Sequence, residues 1–127
     1  MRNEKGQTMV EFTLVLPVLL VVLFGIIQFG IVFSNYVALT DAVRAGARTA
    51  AISRSALDPV GDTKARVISA SGDLKASDVT PTVTPGPLGW THGEDVTVKA
   101  TYPYSISLLG IVVASGNLTS STTERIE

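Results

Sequence analysis

Glu11 stands at the head of a stretch that carries no charge. Residues 12–33 contain none of the chain's ten basic and eleven acidic side chains, and 17 of these 22 residues are apolar. A carboxylate drawn to the centre of a bilayer costs on the order of 3 kcal/mol, so Glu11 needs a positive partner if its helix moves into an apolar interior. Left at headgroup level, it is instead favoured by the positive end of the helix macrodipole. The residues around it read Gly6-Gln7-Thr8-Met9-Val10-Glu11-Phe12.

Other chemistry is sparse. The chain has no cysteine and a single histidine, His92, which removes disulfides, thiolate nucleophiles, sulfur-ligated metals and paired imidazoles. Its Asp, Glu and Ser residues form no recognisable nucleophile or paired-acid arrangement. An enzyme is not expected, and neither is a metal or other cofactor. The net charge of -1 and the scattered basic residues give no footprint for nucleic acid.

The elements that must position Glu11 follow from composition. Twenty-two residues of helix measure about 33 Å, enough to cross a hydrocarbon core of about 30 Å. No Gly or Pro run stops the helix at Phe33, and residues 34–52 are rich in alanine, which predicts one helix continuing into water. Ala38, Ala42, Gly46 and Ala50 recur every fourth residue and form a small-residue stripe, while Arg44 and Arg48 lie on another face. Such a stripe admits close approach of a second helix; alanine also serves simply as a good helix former.

Asp58-Pro59 suits the cap and first turn of a second helix, whose apolar face is Val60, Val67 and Ile68 and whose stop is Gly72. Beyond Ser77 the chain is rich in Ser and Thr and reads as strands. Residues 95–104 alternate Val96, Val98, Ala100, Tyr102 and Tyr104 with polar residues and proline. Residues 78–84 form an edge strand carrying Pro81, and residues 118–126 a third strand with two polar faces. The apolar run 106–114 is too short to span a membrane and is expected to cover the open face of the small sheet. Trp90, in a Pro/Gly-rich loop, is expected to plug the edge of the core.

An apolar span near an N-terminus can be a cleaved secretory signal, a permanent anchor or a pilin-type leader. The apolar region of a secretory signal is about 7–15 residues. This one is longer and runs on into Tyr36, Val37 and Leu39, and Ala45-Gly46-Ala47, the one site of A-x-A type, lies far beyond it. A permanent, uncleaved anchor presenting a small extracytoplasmic binding domain remains the alternative to the pilin-type leader.

The head resembles the leader of type IV pilins and pseudopilins: a short basic segment ending in Gly6, four residues, then Glu11 and Phe12. With Pro17 and the continuation Asp41-Ala42-Val43-Arg44-Ala45-Gly46-Ala47-Arg48, it looks like a TadE-type pseudopilin of the tight-adherence pilus. TadF-type proteins share this head. The resemblance implies cleavage between Gly6 and Gln7 by a prepilin peptidase. It also implies pairing of Glu11, at the head of the span beside Phe12, with the α-amino group of a neighbouring subunit. The implied partners are that peptidase, other pilin and pseudopilin subunits, a membrane assembly platform and the lipid bilayer. About 75 residues follow Ile52, more than a major pilin of that system keeps, so a minor pilin or pseudopilin is the better fit.

The expected fold is α+β and pilin-like. Residues 1–6 are the leader, 7–52 the transmembrane and continuing helix, and 53–127 a small domain of a short helix and an antiparallel sheet. Basic residues flank the span on both sides, and orientation follows from the leader instead: a peptidase acting at Gly6 on the cytoplasmic face leaves the domain extracytoplasmic. After assembly the subunit would lie in an extracellular pilus. Within the span, Pro17 removes one helix hydrogen bond and can kink or loosen the helix, a change that membrane helices also tolerate. Gln28 can bond to a neighbouring helix.

Overall fold

The computed structural model describes residues 2–127, with side chains from residue 4. Met1 and the Arg2 and Asn3 side chains of the expected leader lie outside that description. The first helix, α1 (Arg2–Ile52), is unbroken over 51 residues, a length of about 77 Å. It passes through Gly6 and Pro17 without interruption. Proline has no N–H to offer the Thr13 carbonyl one turn back, and the Thr13 hydroxyl donates to Met9 O at 2.8 Å.

The second helix, α2 (Pro59–Ala70), starts where the sequence signals it. The Asp58 carboxylate accepts from Gly61 N at 2.9 Å and Pro59 occupies the first turn, so the orphan donors at this end are reduced by one cap and one missing N–H. At the other end Gly72 takes φ 61°, the left-handed conformation that ends helices. A single 3-10 turn, Ala76–Asp78, leads into the sheet.

The sheet is antiparallel, with order β1 (Thr80–Pro85), β2 (Asp95–Leu108), β3 (Ile111–Arg125). The edge strand β1 accommodates Pro81 and Pro85, paired with Ala100 and Val96. The central strand sends Val96, Val98 and Ala100, all fully buried, against α1. The opposite face is solvated and hydroxyl-rich: Thr82 and Thr84 on β1, Thr97 and Thr101 on β2, Ser121 and Thr123 on β3, with Thr97 and Thr123 hydroxyls 2.9 Å apart.

Residues 106–114 do not cover that face. They form the far end of the β2–β3 hairpin, with Leu108 paired to Ile111 across a two-residue turn, Leu109-Gly110. Leu109, Ile111, Val112 and Val113 are exposed. The period-two pattern of β2 simply continues past Tyr104 to Leu108, and the run then reverses into β3. A shift in register between Ile106 and Ser107 marks a bulge just below the tip.

The core lies between the second half of α1, α2 and the inner face of the sheet. From α1 it takes Leu39, Ala42, Val43, Ala47 and Ala50; α2 adds Val67, and the chain's end adds Ile126. The C-terminus is stitched down by Ile126 N donating to Glu94 O at 2.7 Å and Glu127 N to Ala51 O at 2.9 Å. Trp90 is half-buried and packs against this core.

Candidate functional site

The residues at the helix head lie on one exposed face. Gln7 and Glu11 are one turn apart, and the Gln7 Nε2 donates to Glu11 Oε1 at 3.1 Å. Both are exposed, as is Phe12. A helix places residues i and i+4 on one side and tilts side chains toward its N-terminus, so Glu11 leans back over Gln7. The carboxylate is thus already aimed at the residue whose nitrogen would become an α-amino group if the chain were cut after Gly6.

Among the described residues, a Cβ built on Gly6 meets no heavy atom within 4 Å. Packing among the described residues gives no reason for glycine at this position, as at Gly25 and Gly30. Phe12 and the residues up to Phe24 are likewise without a partner in the fold. No residue from 4 to 24 is buried or half-buried, and the apolar side chains of the span face outward all round. A helix that exposes Leu, Val, Ile and Phe on every side needs an apolar surrounding.

The stripe has a different environment. Ala42, Gly46 and Ala50 are buried and Ala38 is half-buried. At Gly46 the helix that approaches is the chain's own α2: a Cβ there would overlap the Val67 side chain, and the Thr63 carbonyl oxygen lies 3.5 Å from the same point. Thr63 is fully buried yet satisfied, its hydroxyl donating to Pro59 O at 2.7 Å. Val67 was legible in the sequence as an apolar position of a second helix, but nothing local there joined it to Gly46. Gln28 is half-buried within the span.

Among the described residues no group of His, Asp and Glu could hold a metal ion. Three ion pairs among the described residues, Asp41–Arg44, Lys75–Asp78 and Asp95–Arg125, are each 3.8 Å long and largely exposed, and contribute little. The features that stand out are an outward-facing apolar helix, a carboxylate at its head, and a small domain clamped to its far half.

Residues 6–48 match the family model described as TadE-like protein. Over these residues the first helix is similar to the TadE-like family. The matched segment covers about a third of the sequence: it begins at Gly6, contains Gln7, Glu11, Phe12, Pro17, Ala38, Ala42 and Gly46, and ends two residues before Ala50. It stops short of α2 and the sheet, which lie outside the TadE-like segment. No curated protein and no solved structure matches the chain. The TadE-like family is one of the tight-adherence pilus, and the length and exposure of the apolar half of α1 fit a single-pass membrane protein.

Proposed function

We propose that this chain is a pseudopilin or minor pilin of a tight-adherence pilus, held in the membrane by the first half of α1 and cut after Gly6 by a prepilin peptidase. The single observation that carries this reading is the geometry of the head. Glu11 leans back toward Gln7 at the head of an uncharged span whose residues up to Phe24 are all exposed, with four residues between it and Gly6.

Cutting there leaves a free α-amino group on Gln7, four residues from Glu11. In a bundle of such helices, the carboxylate of one subunit and the amino group of the next neutralise each other where neither can be solvated. That pairing fixes the axial stagger between subunits. The small domain, packed on the far half of α1, lies outside the bilayer on the extracytoplasmic side and then on the pilus surface. Partners in this role are the peptidase, the other pilin and pseudopilin subunits and the assembly platform in the membrane.

Two substitutions separate the steps. Gly6→Leu is expected to leave the uncut chain in the membrane, and Glu11→Val to permit cleavage while reducing incorporation into sheared pili. Normal assembly of both variants would overturn the reading.

A further inference from the structure

We infer that the tip of the β2–β3 hairpin enters the lipid leaflet on the side of the small domain, giving the protein a second membrane contact beside its helix. This rests on the proposal that α1 spans a bilayer.

The direction of the hairpin follows from burial and register. Its base is tied to the end of α1 by the Glu127 N to Ala51 O bond. From that end, burial on α1 fades toward the N-terminus: Ala50, Ala42 and Leu39 are buried, then Asn35, Val32 and Gln28 are half-buried. On β2 it fades toward the tip: Val96 to Ala100 are buried, Tyr102 to Ile106 half-buried on the same face. The two elements therefore run alongside each other, and the tip points toward the apolar span. The 14 residues of β2 measure about 45 Å at 3.3 Å each. From Ala51 back to Phe33, the end of the span, α1 covers only about 27 Å. A hairpin within about 50° of the helix axis reaches the level of Phe33.

The chemistry of the tip matches that level. No charged residue lies between Lys99 and Glu124, so the distal hairpin can leave water without desolvating an ion. Leu109, Ile111 and Val112 are 77%, 70% and 60% exposed, an apolar cap with no partner in the fold. Tyr102 and Tyr104 sit below it, where an aromatic ring with a polar end suits the interface. The turn itself is unusual for water: Leu109 has φ 52°, the one positive φ outside glycine among the described residues. An Asn would fit that conformation better. A leucine held there and aimed outward is explained by lipid contact.

The chain has no cysteine, so single spin labels can be placed at will on the full chain, in phosphatidylcholine nanodiscs holding one copy each. Labels at Phe24→Cys, Ile111→Cys and Thr123→Cys report the span, the tip and the hairpin base. The expected result is relaxation by dissolved oxygen and loss of relaxation by aqueous nickel at Phe24 and Ile111, and the reverse at Thr123. A nickel-accessible Ile111 beside a shielded Phe24 overturns the hairpin inference alone; a nickel-accessible Phe24 overturns the spanning helix itself. Shielding of Ile111 only in discs with several copies identifies a second chain as the partner and also overturns it. Leu109→Asn keeps a favourable turn and removes an apolar anchor, so the Ile111 label should gain nickel relaxation; unchanged shielding would contradict lipid contact.

Discussion

The side-chain amide of Gln7 donates to the Glu11 carboxylate across one helical turn, at 3.1 Å, and both residues are exposed. The bond satisfies one carboxylate oxygen without neutralising it. In the proposed function, a cut after Gly6 supplies the positive charge, the α-amino group of Gln7, with which the Glu11 carboxylate of a neighbouring subunit pairs. Processing and assembly are thereby linked through one side chain in the proposed function.

The amide of Gln7 holds the carboxylate over its own residue, so Gln7→Ala removes that bond while leaving both Gly6 and Glu11. Cleavage is expected to persist, and the yield of assembled subunit to fall by less than in Glu11→Val. Comparing cell-bound and sheared-pilus fractions of the two variants by immunoblot checks this order.

The contact between Gly46 and Val67 gives a prediction about stability. Gly46→Leu places a side chain where Val67 already stands and is expected to cost about 1–3 kcal/mol. Gly25→Ala, where an added Cβ meets no atom within 4 Å, is expected to leave the domain's unfolding unchanged. Thermal unfolding in detergent, followed by near-ultraviolet circular dichroism of Trp90, reads both.

The cap of α2 is a separable contribution. Asp58→Ala removes the acceptor for Gly61 N and is expected to destabilise the domain by about 1 kcal/mol. Asp58→Asn, which keeps an acceptor oxygen, should recover most of the loss in the same measurement.

Much of this fold was legible in the sequence because its signals are local. An uninterrupted apolar and alanine-rich run makes α1, Asp58-Pro59 and Gly72 bracket α2, and the alternation from Val96 marks β2. The third strand reads weakly because its inward face carries Ser120 and Thr122 beside Leu118, so polar residues point both ways. Residues 106–114 read ambiguously for a different reason. A short apolar run between strands has the same composition whether it folds over a sheet or extends it, and the pairing of Leu108 with Ile111 decides between the two. The stripe Ala38, Ala42, Gly46, Ala50 showed that close approach was feasible, but its partner, α2, is set by tertiary packing. At the helix head, residue types and spacing were fully visible, while the openness around Gly6 became visible only with the fold.

Processing by a prepilin peptidase would be read from the N-terminal sequence and intact mass of the protein recovered from membranes of a host carrying the matching enzyme. A chain that begins at Gln7 is expected. A chain beginning at Met1 would contradict it and leave a plain membrane anchor, and one beginning near Thr49 would show that the apolar span is a secretory signal.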